Sequence, residues 1–118
     1  MNYLSFALRG FLTIAFVAAG GAKLAGVDMM VETFETIGFG QAFRYVTGLL
    51  EIVGAALLWL PNRQVVGAAI LGGTMVGAVL THWFVLGPSA VPAIALGLIC
   101  TAVLYIHRIQ IPVIFGRN

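Results

Sequence analysis

The sequence predicts an all-α membrane protein: a four-transmembrane-helix antiparallel bundle with a short amphipathic segment between helices 1 and 2. Three observations lead there. Of 118 residues, 61% are hydrophobic and 8% charged, whereas a soluble domain carries about 25% charged residues. The apolar residues gather into four runs close to the ~20 residues that a spanning helix requires. The breaks between runs are rich in proline and glycine, residues that end helices. Six Lys and Arg and four Asp and Glu are too few to give every element of a soluble fold a polar face.

The runs cover residues 4–22, 42–60, 64–86 and 90–107, all within one domain, 1–118. Arg9 interrupts the first. The second holds Arg44 near its start and Glu51 inside it, the third holds His82 near its end, and the fourth ends at Arg108. Pro61-Asn62-Arg63 is expected to turn tightly, with Pro61 stopping one helix and Asn62 capping the next. Gly87-Pro88-Ser89 is a similar break, and Pro92 suits the first turn of the last helix. An open sheet is excluded in lipid, and a barrel needs alternating rather than continuous apolar stretches.

The first connection, residues 26–41, differs. Asp28, Glu32 and Glu35 interleave with Met30, Phe34 and Ile37, which predicts a short amphipathic helix at the membrane interface, ended by Gly38. Ala18-Ala19-Gly20-Gly21-Ala22 resembles a cleavage region. However, no basic residue precedes the apolar stretch and Arg9 breaks it, so the first helix is expected to remain in the protein. Beyond residue 108, Pro112 and Gly116 limit any helix in the tail.

Arg63, Arg108 and Arg117 collect on one side of the predicted bundle, with Arg9 if it snorkels. Lys23 and Arg44 lie on the other with the three acids. The bias favours both termini in the cytoplasm, in the cytoplasmic (inner) membrane. Small residues recur four apart at Ala15/Ala19, Ala68/Gly72, Gly73/Gly77 and Ala93/Gly97. They predict close helix packing, with a homo-oligomer through one of them as the second reading. The scattered basic residues exclude nucleic-acid binding. The lone Cys100 excludes an intrachain disulfide and a Cys-x-x-Cys redox pair.

Ionisable groups within a span are costly and mark candidate sites. They are Arg9, Lys23, Glu51 and His82. Glu51 is too deep to snorkel and requires a cationic partner or protonation. On depth alone Arg9 is the partner of choice: it lies about 7 Å from its helix end and Glu51 about 13 Å, at 1.5 Å per residue. His82 approaches from the opposite side with a similar offset. One reading is a buried Arg9–Glu51 ion pair that fixes helix packing. The other is a polar cavity where Glu51, with His82 or Arg9, binds a proton, a quinone head group or another polar ligand. His82-Trp83 also reads as part of an interfacial belt. His82 and His107 fall at opposite faces, so no metal site is expected, and no catalytic constellation is present.

Several fragments in order resemble the DoxX-like family. They are Arg9, then Ala19-Gly20-Gly21-Ala22-Lys23-Leu24, Ile37-Gly38-Phe39-Gly40 and Gly48-Leu49-Leu50-Glu51-Ile52-Val53-Gly54-Ala55, followed by Pro61, Met75-Val76-Gly77-Ala78 and Thr81-His82. The last helix adds only hydropathy. The resemblance implies a small four-helix protein of a bacterial or archaeal cytoplasmic membrane. That family is named after a membrane subunit of a thiosulfate:quinone oxidoreductase, and relatives are linked to redox homeostasis and to assembly of partner proteins. The resemblance therefore implies an accessory or anchoring subunit of a redox or quinone-linked system rather than an enzyme on its own. A quinone or lipid would be its ligand, and the bilayer and a redox protein its partners. A membrane-protein assembly factor or chaperone is the alternative, and a small proton-coupled transporter the third reading. Small multidrug-resistance proteins have similar length and one essential membrane carboxylate, but in the first helix, where this chain carries Arg9 and Lys23.

Overall fold

The computed structural model describes residues 3–86 and 90–114, so the turn expected at Gly87-Pro88-Ser89 and the chain end with Gly116 and Arg117 lie outside them. The described chain is helical, with α1 Tyr3–Ala25, α2 Asp28–Ile37, α3 Gln41–Leu57, α4 Gln64–Thr81 continuing into a π-helical turn His82–Leu86, α5 Val91–Ile106 and α6 Gln110–Ile114. α1 packs on α3, α3 on α4 and α4 on α5, while α5 returns to α1. Neighbours run antiparallel. Gly20 meets Gly48 and Gly54 meets Gly67, and Met75 faces Gly97 as Gly72 faces Cys100.

Two helical segments, Tyr3–Ala25 and Gln64–Phe84, are long and apolar enough to cross a membrane by length and composition, and α5 is a shorter apolar helix. The second predicted run does not stay helical to residue 60. α3 ends at Leu57, and Trp59 and Leu60 donate to Ala56 and Leu57 three residues back. Pro61 disfavours helical backbone in the residue before it, so the last turn tightens and stops early. Asn62 does not cap α4. It adopts φ +62° and makes the turn itself, a left-handed position that asparagine tolerates. Arg63 stands at the N-cap without a side-chain capping bond.

α2 forms where the acidic connection predicts a short helix, and Gly38 ends it at φ +90° with its N–H on the Phe34 carbonyl. At the end of α1, Gly26 at φ +71° lets the N–H groups of Gly26 and Val27 reach the Ala22 carbonyl. This left-handed closure satisfies one of the terminal carbonyls that a helix leaves open. The buried Arg44 satisfies the next by donating to the Lys23 carbonyl, while its Nε donates to Gln41 Oε1 at 2.8 Å. Pro92 sits in the first turn of α5, and Pro112 falls within the short α6.

Leu12, Phe16, Ala55, Leu58, Ala68, Leu71, Met75, Cys100 and Val103 form the core. Large apolar side chains also cover the outside: Ile14 is 75% and Leu98 66% exposed. Such an apolar exterior suits lipid rather than water. Of the four-residue repeats, Ala68/Gly72 and Ala93/Gly97 lie in the α4/α5 contact, while the tightest glycine approaches fall elsewhere. A Cβ on Gly20 would stand 2.8 Å from the Gly48 carbonyl, and one on Gly67 2.6 Å from the Gly54 carbonyl. At Gly73 and Gly77 an added Cβ meets nothing within 4 Å.

Candidate functional site

Glu51 is 1% exposed, and its Oε1 lies 2.7 Å from Lys23 Nζ. The expected Arg9–Glu51 pair is replaced by a Lys23–Glu51 pair, and side-chain direction is the reason. Helical side chains lean toward the N-terminus of their own helix. In the antiparallel α1/α3 pair, Lys23 leans down from the end of α1 and Glu51 leans up toward the start of α3. The Gly20/Gly48 contact brings the backbones close enough for the two to meet. A Cβ on Gly48 would stand 3.0 Å from Lys23 Cβ, so lysine passes over a residue without a side chain.

Arg9 leans the same way along α1, and from its place near the start of the helix this carries it away from Glu51. Its Nε donates to Ser5 Oγ at 3.0 Å and its Nη1 to the Leu58 carbonyl at 3.0 Å. Its guanidinium stands 4.7 Å from the centroid of Trp59, whose Nε1 donates to Thr13 Oγ1 at 2.7 Å. Ser5 Oγ is also hydrogen-bonded to His107 Nε2 at 2.6 Å. Beyond it, Gln110 bonds Gln64 Oε1 at 2.6 Å and accepts from the Val65 N–H at 3.0 Å. Arg9 thus belongs to a polar network tying α1, the end of α3, the start of α4, α5 and α6 together. The last helix, which the sequence marks as packing alone, contributes to that network through its C-cap, His107.

Replacing Arg9 with methionine should cost about 2 kcal/mol, since bonds from a charged donor are worth roughly 1.5–3 kcal/mol. In a Trp83→Phe background Trp59 is the remaining tryptophan of two, so its emission should shift together with a lower denaturation midpoint. Unchanged emission would show that the stacked contact does not form.

At the opposite end, Lys23, Glu51 and His82 line one cavity of about 540 Å³. α1 supplies Lys23, α3 supplies Glu51, Leu50 and Phe43, and α4 supplies Gly73, Gly77 and Ala78. The stripe Met30, Phe34 and Ile37 of α2, read from its spacing as facing a membrane interface, faces this cavity. Gly73 and Gly77 open the space rather than closing a helix contact. Four threonines also line it, and each donates its hydroxyl proton to its own helix: Thr33 to Met29, Thr47 to Phe43, Thr74 to Leu71 and Thr81 to Gly77. Among the described residues, that leaves Lys23 and His82 as the lining side chains with N–H groups to offer.

His82 opens the π turn, against which α2 packs. Its Nδ1 is buried without a hydrogen-bond partner among the described residues. Trp83 beside it is exposed, so the expected His82-Trp83 belt divides, one side chain inward and one outward. Arg9 has no place in the cavity. The signals for Gly73, Gly77 and the α2 stripe were present in the sequence, but their spacing has the same form for packing as for hollowing.

A chain whose described residues are helical, with an apolar exterior and a buried Lys23–Glu51 pair, is a membrane protein in class. The chain belongs to the DoxX-like family, whose profile matches residues 7–105, as the resemblance of its fragments implied. The match takes in Arg9, Lys23, Glu51 and His82, and stops short of His107 and Gln110. No curated protein and no solved structure matches the chain.

Proposed function

We propose that the protein crosses the cytoplasmic membrane four times, through α1, α3, α4 with its π turn, and α5, with both termini in the cytoplasm. In this reading it is an accessory or anchoring subunit of a redox or quinone-linked membrane system, and its cavity holds a small guest for that system. The cavity carries the reading. It is largely apolar, its volume lies within the roughly 300–1,000 Å³ of small-molecule sites, and a few polar groups converge on it. Arg63 and Arg108, at the end holding the Arg9 network, support the orientation. The Lys23–Glu51 pair is balanced, and the threonine hydroxyls that share its cavity are bonded to their own helices, which fits binding better than catalysis.

Affinity capture of the tagged protein from its native membranes, after mild crosslinking, tests the accessory role. The expected result is enrichment of an oxidoreductase component that carries a redox cofactor. Recovery of membrane-protein precursors in its place would favour the assembly-factor reading and overturn this one.

A further inference from the structure

Resting on the reading of the cavity as a binding site, we propose that it takes an uncharged amphipathic molecule whose carbonyl or hydroxyl head is hydrogen-bonded by His82 Nδ1. Three observations carry this. First, a buried polar atom without a partner is uncommon, and an occupant that satisfies it is a standard reason for one. Among the described residues His82 Nδ1 is such an atom, on a side chain that lines the cavity. An imidazole suits either head, since a ring nitrogen donates to a carbonyl in one tautomer and accepts from a hydroxyl in the other.

Second, the charges of the cavity cancel. Lys23 and Glu51 meet at 2.7 Å, so a charged head would enter with no counter-charge unless it broke that pair, and either outcome is strongly unfavourable in an apolar site. Third, the remaining surface suits a chain. Phe34, Met30, Ile37 and Leu50 provide apolar walls, and Gly73 and Gly77 leave room along α4. The π turn that His82 opens packs against α2, and π-helical segments occur often at functional positions.

A quinone and a neutral glyceride share this chemistry, so both serve as probes. The protein, labelled with ¹⁵N in the imidazole rings of its two histidines, is titrated in nanodiscs with decylubiquinone and with monodecanoylglycerol. His107, held by Ser5 at the other end, is the internal control. The expected result is a saturable shift of the His82 ring nitrogens with at least one probe while His107 stays still. The tighter of the two probes identifies the head-group class.

His82→Phe should weaken binding about tenfold, the factor one lost hydrogen bond corresponds to, and Gly73→Leu should abolish it by filling the space. An unmoved His107 signal in Gly73→Leu shows that this variant is folded. Decanoate and decyltrimethylammonium should bind at least about tenfold more weakly than the neutral probes. Binding that leaves His82 unshifted, or charged probes that bind equally well, would overturn the assignment of head group and anchor while leaving the accessory role intact. Absence of binding by every probe would overturn the inference itself. The capture experiment reads the accessory role independently.

Discussion

Glu51→Leu is expected to lower stability by about 3–5 kcal/mol, the range for breaking a buried ion pair from one side. The loss arises from what is left behind more than from the contact removed. Lys23 Nζ would remain beside a carbon side chain, with only 14% of the lysine side chain exposed. The ammonium would lose its carboxylate at 2.7 Å without regaining water. Replacing both residues, as Lys23→Met with Glu51→Leu, should restore most of the loss, because apolar pairs of similar volume often match or exceed a buried ion pair. The double variant should retain its fold while the cavity loses charge. Unfolding midpoints of the four proteins in one detergent form the double-mutant cycle that reads the coupling. A Glu51→Leu protein as stable as the wild type would mean that the pair does not form in the membrane-embedded state.

The second large effect is expected at a glycine. Gly67→Ala should destabilise by about 1–3 kcal/mol as an overpacking substitution, and Gly67→Val by more. The added Cβ would meet three backbone atoms, the Gly54 carbonyl oxygen at 2.6 Å, the Leu58 nitrogen at 2.9 Å and the Leu57 carbonyl carbon at 3.1 Å. None of these is the end of a flexible side chain, so α3 and α4 would have to separate. Gly77→Ala is the matched control. Nothing lies within 4 Å of its Cβ position, and alanine is favoured over glycine in a helix by about 0.8–1.0 kcal/mol. That variant should be neutral or slightly more stable. Equal losses at Gly67 and Gly77 would refute the α3/α4 contact, and thermal midpoints measured side by side decide it.

These two sites show how far the residues alone carry. Glu51 stands out in a list of one-letter codes because a carboxylate within an apolar run demands an explanation. Its partner does not stand out. Counting rise along a helix gives each candidate a depth but no direction, and on depth alone Arg9 is the better choice. The lean of side chains toward the N-terminus of their helix sends Arg9 to Ser5 and Leu58 and Lys23 to Glu51. Gly20, Gly48 and Gly54 were visible as family-like fragments. Gly73/Gly77 has the four-residue spacing of a packing pair, yet that spacing only places both residues on one face. The sequence places Arg44 near the start of the second run and gives it no partner. Its burial follows from the open carbonyl at the end of α1, which only the return of α3 brings within reach.

From the sequence alone follow the helical class, the family, the short helix between the first two apolar runs, and the residues whose charge or polarity sets them apart from lipid. These are properties of composition and period, and they are local. The tertiary structure alone decided the partners: Lys23 for Glu51, Arg9 for the opposite network, His82 for the cavity, and empty space beside Gly73 and Gly77. Pairing depends on which faces of antiparallel helices meet and which way their side chains lean, and those relations appear only when the helices are packed.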